Sequence, residues 1–241
     1  VIVTVNSAPT GSIAADVNPV CFGTTVNFTA SPDLLSNYDF KVNGVSAQSS
    51  ASNVYSNAML EDGWDISVIA TDANGCSADF GTVSMTVYDL PIPVIGSQTN
   101  VSCFGAADGA VTISGGTAYK LDAGAYQVSG TFSGLAAGVY VVTVKDVNEC
   151  TATIPVTILE PTVLSATVGA TQPTCFGTDD GTITISSPSG GSGSFDYSID
   201  GGMSWTAGLS NIGLAPGTYN VRIRDENEIT CAIDLGNQVL A

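Results

Sequence analysis

The chain has 241 residues, with 22 Asp or Glu against 5 Lys or Arg, no histidine and a net charge of −17. That balance excludes nucleic-acid binding, because phosphates demand Lys and Arg, and it opposes docking on anionic lipid. The missing histidine excludes His-assisted nucleophiles. No apolar run approaches the roughly 20 residues of a membrane-spanning helix, so membrane insertion is not expected.

In chain order, Val1 to Val5 reads as a strand that ends before Pro9. Aligned with the rest of the chain, residues 1–8 are expected to be the last strand of a missing preceding domain. Such a strand is also an open edge through which a neighbouring molecule could exchange strands in a filament. Next come Cys21-Phe22-Gly23, the strand Val26–Ala30, the alternating run Ile66–Thr71, Cys76, and the run Val83–Val87. The same order then repeats: Cys103-Phe104-Gly105, a strand over Val139–Val144 and Cys150, then Cys175-Phe176-Gly177, strands over Thr182–Ile185 and Thr218–Ile223, and Cys231. Between the last of these, Tyr197 to Gly202 reads as a strand and a tight turn in which Asp200-Gly201 supplies positive φ. Every run alternates or is β-branched, Gly/Asn/Asp/Ser clusters separate them, and none shows 3.6-residue periodicity.

The motif returns after 82 and then 72 residues, the mark of a tandem array of small domains. Pro9, Pro91 and Pro161 precede the three motifs by 12, 12 and 14 residues and mark the junctions, which contain no flexible Gly/Ser linker. The expected architecture is all-β, three small Ig-like antiparallel sandwiches over 9–90, 91–160 and 161–241. Domains that small need staples, and six cysteines without any left over indicate an oxidising compartment. Six cysteines permit 15 connectivities. Locality, with 47 to 56 residues between partners, favours Cys21–Cys76, Cys103–Cys150 and Cys175–Cys231, with free buried thiols as the alternative. Zinc is disfavoured without histidine or Cys-x-x-Cys.

The second and third repeats share Cys-Phe-Gly-x-x-Asp-Gly (Cys103 to Gly109, Cys175 to Gly181), a Gly-x-Tyr strand (Gly138 and Tyr140, Gly217 and Tyr219) and an Asp-x-Asn closer (Asp146/Asn148, Asp225/Asn227). Over residues 91–241 these resemble the SprB-type repeat of giant surface adhesins in gliding Bacteroidetes. The first domain lacks the Asp-Gly after its Cys-Phe-Gly and looks like the Ig-like or PKD-like modules that accompany such repeats. The second repeat departs from the pattern before its turn, with Ala118 to Gly124 in place of the usual Tyr-x-Tyr hairpin. The resemblance implies export by the type IX system and a place at the cell surface in adhesion or gliding motility.

Physical chemistry bounds the roles of single residues. Tyr140 and Tyr219, each on one strand face with Val142 and Val144 or Val221 and Ile223, are expected in the core, their hydroxyls bonded back to backbone as in a tyrosine corner. Trp64 would take that place in the first domain. Asp72/Asn74, Asp146/Asn148 and Asp225/Asn227 suit Asx-turns, and carboxylate and amide oxygens at i and i+2 also begin calcium loops. No cofactor is required; if calcium binds, Asp108, Asp146, Asp179, Asp180 and Asp225 are its candidate ligands. Trp205, Tyr126 and Phe195, near turns, are the candidate ligand-binding aromatics. The acids recur from repeat to repeat, unlike the single constellation of an active site, so no enzyme is expected. The expected partners are the neighbouring domains of the same long chain, surface glycans or abiotic surfaces met through many weak sites, or a second copy by strand exchange. The leading expectation is a disulfide-stapled, semi-rigid stalk of a secreted adhesin.

Overall fold

A computed structural model describes residues 5–175 and 177–241. The Val1–Val5 strand expected from the sequence therefore lies almost wholly outside the described residues, as does Phe176 of the third motif. From Val5 to Gly11 the chain carries no strand. All regular elements are strands, 21 among the described residues. Of the twelve strand pairings whose register is described, eleven are antiparallel and one, Val20–Cys21 with Val87–Tyr88, is parallel.

The first repeat holds β1 (Ser12–Ala15), β2 (Val20–Cys21), β3 (Val26–Ser31), β4 (Asn37–Val42), β5 (Val45–Ser50), β6 (Val54–Asn57), β7 (Asp65–Thr71), β8 (Ser77–Ser84) and β9 (Val87–Tyr88). They form a β1-β3-β6 sheet, a β5-β4-β7-β8 sheet and the parallel pair β2–β9. Alternation decides which side chains go inside. Val26, Phe28 and Ala30 of β3 meet Tyr38 and Phe40 of β4 and Ile66, Val68 and Ala70 of β7, all fully buried. Each large apolar side chain so buried contributes about 1.5–3 kcal/mol. Trp64 packs half-buried against this core. The run Val83–Val87 does not form one strand. It breaks after Ser84 because β8 pairs with β7 whereas β9 leaves that sheet to pair with β2.

The second repeat contributes β10 (Val94–Thr99), β11 (Gly109–Ser114), β12 (Ala118–Leu121), β13 (Thr131–Leu135), β14 (Gly138–Lys145) and β15 (Thr151–Ile158), in sheets β10-β11-β13 and β12-β14-β15. The third contributes β16 (Ser165–Thr171), β17 (Gly181–Ser189), β18 (Phe195–Ser198), β19 (Ser210–Leu214), β20 (Gly217–Asp225) and β21 (Ala232–Leu240), in sheets β16-β17-β19 and β18-β20-β21. The two repeats thus have the same strand plan. In the third, Ile183, Ile185, Tyr197, Val221 and Ile223 form the core. Of the tyrosine-corner expectation the hydroxyl part holds, Tyr140 donating to the Ala136 carbonyl at 3.0 Å and Tyr219 to Ala215 at 2.9 Å, but both rings are half-buried at the edge of the core and not inside it.

Among the described residues no sheet runs from one repeat into another. By spatial contact the chain forms two compact units whose limits differ from the repeats. One comprises Val1–Ile92, Gly115–Thr117 and Val144–Ala152; the other comprises Pro93–Ser114, Ala118–Thr143 and Thr153–Ala241. The closing turn of the second repeat therefore belongs to the first unit.

Candidate functional site: cysteine turns and their aspartate clasps

Each Cys-Phe-Gly is the same tight turn. The cysteine carbonyl accepts the N–H three residues on: Thr24 to Cys21 and Ala106 to Cys103 at 3.0 Å, Thr178 to Cys175 at 3.1 Å. The glycine takes φ of 85° at Gly23, 73° at Gly105 and 82° at Gly177, the left-handed geometry of the third position of a type II turn, which strains any residue with a Cβ.

Each closing cysteine sits in a second recurrent turn, held by a carboxylate. Asp72 accepts the N–H groups of Asn74 and Cys76, at 2.8 and 2.9 Å. Asp146 accepts those of Asn148 and Cys150, both at 2.9 Å. Asp225 accepts those of Asn227 and Glu228, at 2.8 and 3.2 Å. In all three the aspartate N–H donates to the carbonyl of the closing cysteine, at 2.9–3.0 Å. The Asp-x-Asn closer is thus the clasp of the turn that presents the cysteine.

The cysteines pair across repeats. Cys21 bonds Cys150 and Cys103 bonds Cys231, with Cα separations of 5.6 and 5.4 Å; Cys76 and Cys175 are free. This corrects the expected pairs Cys21–Cys76, Cys103–Cys150 and Cys175–Cys231. The physical reason is strand length. Cys21 pairs in register with Tyr88, beyond the far end of β8, whereas Cys76 immediately precedes β8. Eight residues of strand span about 24 Å, against the 4.4–6.8 Å a disulfide tolerates between Cα atoms. In the second repeat Cys150 precedes β15, while the Cys103 turn lies at its other end, where Gly105 N–H donates to the Glu160 carboxylate at 3.0 Å. In the third, Cys231 opens onto the nine residues of β21, and Gln172, three residues before Cys175, bonds to Val239 and Ala241 at the far end. Opener and closer of one repeat are a strand apart.

The five candidate calcium ligands are not brought together. Among the described residues no group of three or more acids or thiols is disposed to hold a metal. Asp108 instead accepts the Ser102 N–H at 2.9 Å and hydroxyl at 2.5 Å, clasping the residue before Cys103. Asp180 does the same for Thr174 and also accepts the Thr178 hydroxyl. These donors, hydroxyl first, hold both carboxyls below the usual carboxylate range. Asp179 is exposed beside Asp180, and Asp146 is engaged in its turn as above. Asp225 is 3% exposed. Burial pushes its carboxyl up, but the Ser192 hydroxyl and N–H, with the turn N–H groups, outweigh that and leave it low. The sequence carried a signal for the Asp108 and Asp180 clasps: a hydroxyl residue directly before the cysteine, six positions ahead of the acid.

The three aromatics fall into different places. Phe195 packs against the third core. Trp205 is half-buried; its Nε1 donates to the Gly202 carbonyl at 2.9 Å, and the Arg224 guanidinium covers its ring at 4.5 Å while bonding Asp196 at 2.7 Å. Tyr126 is 40% exposed, with Lys120 Nζ 5.2 Å from its ring centre. Tyr126 precedes Gln127, which bridges the buried Tyr119, and Trp205 precedes Thr206, which bridges the buried Tyr197. The two rings occupy one register position, each beneath a cation. Asp200, expected only as part of a tight turn, has a further role not read from the sequence: its carboxylate gathers the Ser204 and Ser198 hydroxyls and the Met203 and Ser204 N–H groups and lies far below the usual range. In the second repeat, one residue shorter here, Asp122 instead accepts the Val141 N–H at 2.8 Å.

Two stretches of this chain carry a recognised sequence signature. Residues 95–121 and 167–204 match the SprB repeat. They cover the first half of the second and third repeats. No curated protein matches the chain. Among solved structures it is similar to the fibronectin(III)-like modules of Clostridium thermocellum CbhA, at 12% identity over 61% of this chain and 94% of that one, TM-score 0.34. It is also similar to Drosophila OTK extracellular domains 3–5, at 11% identity over 96% and 97%, TM-score 0.29. A third is the three N-terminal domains of the bacteriophage RB49 highly immunogenic outer capsid protein, at 13% identity over 96% of each, TM-score 0.34. The SprB repeat suggests a cell-surface segment of adhesin type, and the two disulfides fit an extracellular structural role. SprB repeats are typically non-catalytic.

Proposed function

We propose that this chain is a load-bearing segment of a secreted cell-surface adhesin, whose cystines limit how far it extends under tension during attachment or gliding. The observation that supports this is the interleaving of the two disulfides, 21–150 and 103–231. The shortest covalent path from Cys21 to Cys231 runs through both bridges and only the 47 positions between Cys103 and Cys150. Residues 22–102 and 151–230 lie off that path, so their strands carry no tension once it is taut. At about 3.4 Å per residue, the path allows roughly 160 Å between Cys21 and Cys231, against roughly 700 Å for the reduced chain.

The test is force extension of the 241-residue chain tethered at both ends. A short limit that lengthens about threefold on adding reductant, the terminal residues outside Cys21 and Cys231 included, supports the reading; equal extension with and without reductant overturns it.

A second reading, in which the repeats bind glycans or abiotic surfaces by many weak sites, is favoured by the recurrence of Tyr126 and Trp205 at one register position. Saturable binding of the chain to defined sugars, lost in Tyr126→Ala or Trp205→Ala, would establish it.

A further inference from the structure

Two cysteines remain without a bond, and neither stands in unfamiliar surroundings. Cys76 occupies the same Asp-clasped turn as Cys150, down to the two N–H groups accepted by the carboxylate. Cys175 occupies the same Cys-Phe-Gly turn as Cys21 and Cys103. What distinguishes them is exposure. Bonded closers are buried, 1% for Cys150 and 8% for Cys231, while Cys76 is half-buried. Bonded openers are half-buried, while Cys175 is exposed. The bonded pairs follow one rule: the opener of a repeat takes the closer of the next. By that rule Cys76 lacks an opener and Cys175 lacks a closer.

A second observation points to the missing opener. Cys21 docks beside the last strand of its own repeat, in register with Tyr88, whose carbonyl accepts the Phe22 N–H at 2.9 Å. Thr4-Val5-Asn6 aligns with Thr86-Val87-Tyr88, so Asn6 is the counterpart of Tyr88. The Cys76 sulfur lies 3.9 Å from the Asn6 carbonyl. A Cys-Phe-Gly turn docked on Asn6 as Cys21 docks on Tyr88 would meet Cys76 as Cys21 meets Cys150.

We propose that Cys76 and Cys175 are the two open half-cystines of a disulfide ladder, and that each is completed by a second domain of this type, Cys76 by a Cys-Phe-Gly cysteine and Cys175 by a closing-turn cysteine. In two copies of this chain the completing bond is Cys175 of one to Cys76 of the other. The bond forms by exchange with a small-molecule disulfide. The Cys175 thiolate attacks one of its sulfurs and expels a thiol. The Cys76 thiolate then attacks the resulting mixed disulfide and expels the second. Two protein thiols are oxidised, one small disulfide is reduced to two thiols, and the two thiol protons pass to them. The inference extends the load-bearing reading but is tested separately, by crosslink identity and not by force.

The experiment incubates the whole chain at high concentration in a glutathione redox buffer, followed by non-reducing electrophoresis and mass mapping of the crosslinks. The expected result is a series of head-to-tail multimers with 21–150 and 103–231 retained within each chain and a new 76–175 bond between chains. Chance pairing would yield as many 76–76 and 175–175 bonds together as 76–175 bonds. Docking of the two turns should favour 76–175 by about tenfold or more. Cys76→Ser and Cys175→Ser should each abolish the series alone and form one heterodimer when mixed. Chance pairing, a 76–175 bond within one chain, or no 76–175 bond at exchange equilibrium would overturn the proposal.

Discussion

The Asp146 carboxylate accepts the backbone N–H of Cys150 at 2.9 Å, while the Asp146 N–H donates to the Cys150 carbonyl at 3.0 Å. This reciprocal pair closes the turn from which Cys150 reaches Cys21. Asp146→Ala leaves two N–H groups without their acceptor, at about 1 kcal/mol each. We expect the melting temperature of the oxidised chain to fall by a few degrees and Cys21–Cys150 to form more slowly on oxidative refolding, followed by mass mapping. An unchanged rate would assign the turn to the backbone alone.

The bridges themselves should matter more. Replacing Cys21 and Cys150 together by Ser opens a crosslink spanning 129 positions. In the chain-entropy model such a loop is worth about 4–5 kcal/mol, and because the 103–231 bridge offers no shorter route between Cys21 and Cys150 it changes that little. Urea denaturation of the double variant should show the loss in the transition of the first unit.

Asp200 provides a pH signature. Its folded pKa lies below the unfolded value of about 3.9, so its contribution to stability is fully present above that value and is lost as pH falls through the folded pKa. Asp200→Asn should therefore lower the melting temperature at pH 7 and pH 5 by the same amount. The gap from the parent chain should narrow steadily below about pH 4. A gap that opens only above pH 5 would contradict the assignment.

Tyr219→Phe removes only the hydroxyl that bonds the Ala215 carbonyl. The expected cost is about 1 kcal/mol, with the all-β circular dichroism spectrum unchanged. Ile223→Ala, at 0% exposure in the same strand, should cost about 2–5 kcal/mol and so exceed it clearly. Similar losses in the two variants would mean that the corner, not the core, holds β20.

Trp205→Ala uncovers one face of Arg224 and removes the Gly202 bond. The cation–π contact is half-exposed, so its share is about 0.5–1 kcal/mol, and the bond adds a similar amount. Arg224→Lys keeps the charge yet loses the flat stacking and the paired bonds to Asp196. It should lower the melting temperature by much of the Trp205→Ala effect, and the double variant should fall short of additivity.

Much of this was legible locally. Period-two alternation in Val26–Ala30 and Thr218–Ile223 named the core side chains, and Leu-x-x-Gly-x-Tyr named the corners, because burial within a strand follows from backbone geometry alone. Asp-x-Asn was readable as a turn for the same reason. The roles of Asp108 and Asp180 were not read. A carboxylate beside a cysteine motif fits a cation as well as a hydroxyl until Ser102 and Thr174 are placed at its oxygens. Arg224 over Trp205 joins residues 19 positions apart on different segments, beyond the reach of any local pattern.

The threefold recurrence, the all-β class and the two turns that present cysteines are each written within a few consecutive residues. Which cysteine meets which depends instead on how the strands pack. Nearness along the chain favoured partners within a repeat, but a strand of eight or nine residues holds those two turns at opposite ends. A disulfide forms where Cα atoms come within about 6 Å, and in this fold the Cys21 and Cys103 turns come within that distance only of closing turns in the repeat that follows.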